Sequence, residues 1–164
     1  MKRKTACFTG HREISPAHRL IINLRLSETI ENLIEEGYSR FVAGGALGFD
    51  TLAAMTVLAM KKRYPYIRLA LILPCRDQAD RWSEHNQRIY AAIMARADEV
   101  IYTADRYVSG CMQIRNRRLV DESSVCIAYL NKSAGGTAYT VRYAEQQGLA
   151  VINLANGPIG RFAE

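Results

Sequence analysis

The chain reads as an α/β protein: a Rossmann-like, doubly wound, mainly parallel sheet of about six strands with helices on both faces. Three observations predict this. The hydrophobic period alternates between strand-like and helix-like almost from end to end. The strand-like stretches are nearly continuous apolar runs, as expected for strands covered on both sides. Glycines punctuate the strand-to-helix turns and the helix ends.

Taken in order, Thr5 to Thr9 is a short apolar run ending at Gly10. From about Pro16 to Glu36 the period is helical, with Leu20, Leu24, Ile30, Leu33 and Ile34 expected on one broad face. Ser15 before Pro16 is an N-cap with proline at the first helical position, and Gly37 ends the helix. Arg40 to Ala43 is the second strand and leads into Gly44-Gly45. Asp50 to Arg63 is the second helix, with Pro65 just past its end. Ile67 to Leu73 is a third, almost wholly apolar strand that stops at Pro74, followed by a polar loop. A helix from about Ser83 to Arg96 turns Ile89, Ile93 and Met94 inward, and Glu99 to Tyr102 is the fourth strand. A helix from Ser109 or Gly110 to about Glu122, a strand from Ser124 to Leu130, a helix from Gly136 to Gln147 and a strand from Leu149 to Leu154 complete the alternation. The tail from Asn156 reads as irregular. With no repeat or linker in its 164 residues, the chain is expected to be a single domain, 1–164.

Composition narrows the class. Hydrophobic residues at 49% and charged residues at 23% exclude a disordered chain. A net charge of +6 favours anionic partners. The basic residues are scattered in short clusters, such as Lys61-Lys62-Arg63, which reads as solvated faces and helix ends more than as a DNA track. The four cysteines form no C-x-x-C pair, so no zinc or thioredoxin-type site is expected, and Cys7 and Cys126 read as core. His11, His18 and His85 lack metal-ligand spacing, so no metal site is expected. The serine-hydrolase elbow is absent. No signal peptide precedes the first strand and no run reaches membrane-spanning length, so the expected setting is cytoplasmic and reducing.

In a doubly wound sheet the strand-to-helix turns share one edge, and ligands bind there near the point where strand order reverses. Three turns have compositions suited to an anion. Thr9-Gly10-His11-Arg12 offers a hydroxyl, a close backbone approach and a guanidinium that pairs with two phosphate oxygens. Gly44-Gly45-Ala46-Leu47-Gly48-Phe49-Asp50 supplies backbone N–H groups ahead of a helix, without the Walker A or G-x-G-x-x-G spacing. Asp50 would repel a phosphate, so it is expected to cap the second helix or to accept a hydrogen bond from a ribose hydroxyl. Gly135-Gly136-Thr137 opens the fifth helix with backbone and hydroxyl donors. Arg115 and Asn116 in the fourth helix are further candidates, Arg115 to close over a ligand and Asn116 to read a base edge. Trp82 reads as a partly buried core residue or a stacking platform.

The Thr-Gly-His-Arg turn, the stretch Val42 to Asp50, Arg115-Asn116 and Gly135-Gly136-Thr137 together resemble the SLOG superfamily, which joins the Smf/DprA and LOG proteins, and in particular its YpsA-like branch. The resemblance implies a Rossmann-like sheet that binds nucleotides, or nucleotide-derived ligands of the ADP-ribose type, as a sensor in a stress or defence pathway. Its implied contacts are Gly10, Arg12, Gly44, Gly45, Asp50, Arg115, Asn116, Gly136 and Thr137. Two other functions follow from relatives. LOG proteins are phosphoribohydrolases whose motif carries a glutamate three residues after the threonine; here that position is Thr140. N-glycosidic cleavage would then need Asp50 or Glu84 in its place. Smf/DprA proteins bind single-stranded DNA, which the nine tyrosines would serve as stacking platforms. Relatives also imply a homodimer.

Overall fold

A computed structural model describes residues 4–156. The expected irregular tail beyond Asn156 lies outside the described residues. Six strands alternate with five helices: β1 (Thr5–Gly10), α1 (Pro16–Glu35), β2 (Arg40–Ala43), α2 (Phe49–Met60), β3 (Arg68–Leu73), α3 (Glu84–Arg96), β4 (Glu99–Tyr102), α4 (Cys111–Asp121), β5 (Val125–Tyr129), α5 (Gly136–Gln146) and β6 (Ala150–Asn153). The sheet runs β4-β3-β2-β1-β5-β6 and every pairing in it is parallel. The order grows outward from β1 in one direction and then jumps back over it to β5. The β1/β5 boundary is therefore the topological switch point.

The two halves cover opposite faces. Alternate strand residues Ala6, Phe8, Phe41, Leu69, Leu71 and Ile127 pack with α1, α2 and α3, while Cys7, Val42, Ala70, Ile72, Cys126 and Ala128 pack with α4 and α5. This is the period-2 alternation of a strand serving two cores. Phe8, Phe41 and Phe49 are fully buried, each contributing about 1.5–3 kcal/mol. Cys7 and Cys126 are buried and paired in register, as core residues.

Local chemistry sets the ends of the elements. Pro16 opens α1 after Ser15, whose carbonyl accepts from His18 and Arg19 N–H, and the Gly37 N–H closes the helix on Ile34. Ile30, Leu33 and Ile34 are buried as the sequence predicts, but Leu20 and Leu24 are 68% and 47% exposed and the first half of α1 buries Ile22 and Leu26 in their place. Two residues of helix rotate about 200°, so Leu20 and Leu24 lie nearly opposite Ile22 and Leu26. On α3, Ile93 is buried while Ile89 and Met94 pack at the margin of the core. At the N-terminal edge of the sheet the Arg40 guanidinium bridges Glu99 at 3.1 Å and Glu122 at 2.9 Å. The carboxyl edge carries the strand-to-helix turns, and there Arg76 after β3 pairs with Asp105 after β4 at 3.1 Å.

Among the described residues, no helix is long and apolar enough to cross a membrane, and no cluster of His, Cys, Asp or Glu has the arrangement of a metal site.

Candidate functional site

The β1–β5 register ends with Gly10 opposite Tyr129, so the turns after these two strands start side by side. A cleft of about 500 Å³ opens there, lined by Thr9 to Glu13, Ala46, Asp50, Met112, Arg115, Asn116, Lys132, Gly136 and Thr137 among others. Three crossovers therefore converge on one space.

The β1 turn is held by its neighbours. The Phe49 N–H donates to the His11 carbonyl at 3.1 Å, fixing the start of α2 against the turn. A side chain at position 10 would overlap the Phe49 ring, so Gly10 is required by packing. The Asn131 N–H donates to His11 Nε2 at 3.0 Å, and the imidazole meets the Tyr129 ring edge-on at 5.6 Å. His11 thus ties the turn after β1 to the turn after β5. Burial, reinforced by the nearby Lys132 ammonium, holds His11 below its usual pKa, which preserves the Nε2 lone pair that accepts this bond. The sequence places His11 inside the Thr-Gly-His-Arg turn and expects no metal there, but assigns the imidazole no partner of its own.

The β2–α2 turn differs from expectation. Gly44 and Gly45 do not line the cleft; Ala46 and Asp50 do. The space beside Gly44 is taken by Arg115, whose Nη1 donates to the Gly44 carbonyl. A Cβ at Gly44 would come within 2.7 Å of that nitrogen and 3.0 Å of Asp50 Oδ2. Gly45 packs against Leu73 and Tyr90, and its carbonyl accepts from Gln78 at 3.3 Å. Gly48 forms the N-cap of α2 at φ +77°, pressed against the Arg12 carbonyl. Asp50 is therefore not the cap. It sits in the first turn of α2 and accepts the Ala46 N–H on Oδ2 at 3.2 Å.

Asp50 and Arg115 are both 5% exposed. Burial pushes the Asp50 carboxyl up to about 6, against the opposing pull of Arg115, the Ala46 N–H, Arg12 and the Gly44 N–H. Burial likewise lowers Arg115, with Asp50 opposing. Arg115 Nε donates to Asn116 Oδ1 at 2.8 Å. That bond turns the Asn116 amide toward Gly136, with Nδ2 at 3.9 Å from where a Cβ would stand.

The β5–α5 turn is the open wall. Gly135 caps α5 at φ +103°, with nothing within 4 Å of a Cβ built there. It has no side chain to cap the helix, so the first N–H groups of α5 lack a local side-chain partner. Gly136 and Thr137 face the cleft, and Lys132 stands at its rim. Arg12 and Lys132 are exposed at the mouth. Thr9 and Thr137 are buried and line the interior. Thr140, at the position of the LOG glutamate, is fully buried and donates its hydroxyl to the Gly136 carbonyl at 2.8 Å.

Of the residues singled out from the sequence, Thr9, Gly10, Arg12, Asp50, Arg115, Asn116, Gly136 and Thr137 come together around the cleft. Gly44, Gly45 and Gly135 support it from behind or beside. Glu84 does not reach it: its side chain is 85% exposed on α3, within 3.8 Å of Arg88. Trp82 is half-buried edge-on to Tyr90 at 5.2 Å, away from the cleft. Ala46 lies within the second glycine-rich turn picked out from the sequence, whereas nothing in their local sequence marks Lys132 and Met112.

Comparisons with known proteins bear on the family and the fold. A protein of the SPbeta prophage of Bacillus subtilis, YoqJ, is 34% identical over 135 residues, covering 74% of this chain and 79% of its own length. A UPF0398 protein of Halalkalibacterium halodurans is 30% identical over 154 residues, covering 88% and 82%. Among solved structures, DNA processing protein A of Helicobacter pylori, described by its single-stranded DNA binding mode, superposes with a TM-score of 0.65 at 18% identity. DNA processing protein A of Streptococcus pneumoniae superposes with a TM-score of 0.67 at 19% identity. Each superposition covers at least 90% of this chain but only 63% and 50% of the respective neighbour, and likeness at that identity concerns the fold. The model of the YspA SLOG family matches residues 9–151, from the threonine that begins the first ligand-edge turn to the last strand of the sheet, and the chain belongs to that family.

Proposed function

We propose that this protein binds a nucleotide or nucleotide-derived ligand in the cleft at the β1/β5 switch point, in the cytoplasm, as a sensor of the kind that serves stress or defence pathways. One observation carries the reading: the uncapped start of α5 at Gly136-Thr137 shares an open cleft with Arg12 and Lys132, at the position where doubly wound sheets take their ligands. Backbone N–H groups and a helix dipole favour an anion, and the two exposed cations neutralise it. Thr9 and Thr137 add hydroxyl donors. Arg115 shapes the floor, because its guanidinium is already committed to Gly44 and Asn116.

Calorimetry of the full chain with nucleoside monophosphates, cyclic nucleotides, NAD and ADP-ribose tests this. At least one is expected to bind below millimolar concentration, with affinity lowered at least tenfold by Arg12→Ala. Failure of every ligand at millimolar concentration overturns it. The fold shared with DNA processing protein A motivates a single-stranded oligonucleotide as a further arm. Steeply salt-dependent oligonucleotide binding without mononucleotide binding would replace the small-ligand reading with a strand-binding one.

A further inference from the structure

We propose that this protein associates as a two-fold symmetric dimer through the outer face of its α1–α2–α3 layer, with the exposed ridge of α1 in one copy seated in the α2–α3 groove of the other.

The groove is built from two matching stripes. α2 and the turn after it present Met55, Leu58 and Ala59 followed by Lys62, and α3 presents Ile89, Ala92 and Ile93 followed by Arg96. Both have the spacing i, i+3, i+4, i+7 of a single helix face. Between them lies a groove of about 340 Å³. Leu58 and Ile93 form its buried floor, and Met55 stands 51% exposed at the rim. Each stripe is apolar first and basic last, and neither Lys62 nor Arg96 has an ion-pair partner among the described residues. A contiguous apolar channel between two helices, unlike scattered surface leucines, is a seat for a third helix.

The ridge of α1 has the same order with the opposite charge. At 3.6 residues per turn, Leu20, Leu24, Glu28, Glu31 and Glu35 fall within about 80° of one another. The two leucines are exposed, and the three residues that follow them on this face are acidic.

Topology sets the direction and height of ridge and groove. Each of the three helices returns from the carboxyl edge of a parallel sheet to its amino edge, so all three point the same way. The Glu31–Arg63 ion pair at 3.0 Å puts the acidic end of α1 level with the basic end of α2. Counting back along both helices, Leu20 and Leu24 lie level with Leu52 to Thr56, beside Met55. A two-fold axis that lies in the interface and runs parallel to the helices preserves both direction and height. It sets the leucines of each copy against the apolar floor of the other, and Glu28, Glu31 and Glu35 against Lys62 and Arg96. A different partner would need an apolar-then-acidic helix of its own; this chain carries one at the matching height.

Sedimentation equilibrium of the full chain tests this. The natural chain is expected to dimerise with a dissociation constant of about 10 µM or lower. Leu24→Lys should weaken the dimer by roughly tenfold or more, because symmetry removes the leucine from two contacts at once. The double variants Glu31→Lys/Glu35→Lys and Lys62→Glu/Arg96→Glu should each be monomeric under the same conditions, since like charges then face one another. Mixing these two variants should restore a dimer, because both contacts of the mixed pair again join opposite charges. The substituted side chains reach the surface, so unfolding midpoints near that of the natural chain are expected and separate dissociation from misfolding. A natural chain that stays monomeric at about 100 µM overturns the inference. So does a dimer indifferent to Leu24→Lys, or a mixture of the two charge variants that stays monomeric.

Discussion

The two glycine-rich turns of this sheet look interchangeable in sequence and are not interchangeable in space. In the β2–α2 turn the glycines make room for the protein itself: Arg115 stands beside Gly44, Leu73 against Gly45, and the Arg12 carbonyl against Gly48. In the β5–α5 turn nothing lies within 4 Å of a Cβ at Gly135, and at Gly136 a single amide nitrogen stands 3.9 Å away. The first turn is a packed joint that seats α2 and places Asp50. The second is an exposed ledge at the cleft. A glycine pair ahead of a helix therefore does not by itself mark a ligand contact; the occupant of the space that a side chain would need makes that distinction.

Substitutions along the two turns should separate them. Gly48→Ala is expected to have the largest effect, a loss of about 3–5 kcal/mol in denaturant unfolding, because alanine is strained at φ +77° and would overlap the Arg12 carbonyl. A loss under 1 kcal/mol would contradict the packed-joint description.

Asp50→Asn comes next and is read through pH. The folded chain holds the Asp50 proton up to about pH 6 against a usual value of 3.8. Between those values the unfolded chain has released a proton that the folded chain keeps, so the Asp50 contribution to stability falls as pH rises through the window and is constant above it. The asparagine variant lacks this change. Relative to it, the natural chain should lose roughly 2 kcal/mol between pH 4 and pH 7 in matched urea titrations. Parallel profiles would mean that Asp50 ionises normally.

Gly135→Ala carries conformational strain at φ +103° but no overlap, so its expected cost is about 1–2 kcal/mol, well short of Gly48→Ala. Gly136→Ala should change stability by less than about 1 kcal/mol, since its φ is ordinary and the space beside it is open. Under the proposed function it should also weaken AMP binding about tenfold, by placing a methyl group in the space proposed for the phosphate. Unfolding midpoints and calorimetry on the same preparations give both numbers, and unchanged affinity would take the ledge out of the proposed site.

Much of the fold was legible because the strands are mostly apolar runs and the major breaks carry recognisable stops. Ser15-Pro16 and Gly37 bracket α1, and Arg40–Ala43 and Glu99–Tyr102 fall where the sequence places them. The misjudged Leu20 and Leu24 show where periodicity fails: a 20-residue helix rich in leucine and isoleucine supports more than one apolar stripe, and the sheet chooses between them. For the site, the turns were legible from their glycines and from the logic of the fold, but the partnerships were not. Arg115 reaches Gly44 across 71 residues, and His11 reaches Asn131 across 120. An oxygen without a partner among the described residues, as at Asp50 Oδ1, leaves no trace in local composition.

The His11 contact has a mechanical consequence. The sheet grows leftward and rightward from β1, so the walls of the cleft belong to separate halves of the topology, joined along the β1–β5 ladder. The ladder stops at Gly10 and Tyr129, so beyond it the two turns are held together by contacts of their own. The imidazole is one such crosspiece, lodged one residue beyond the ladder and gripping the opposite loop by its main chain. The distance between the two turns is thereby tied to the main chain on the β5 side rather than to two side chains meeting at the rim.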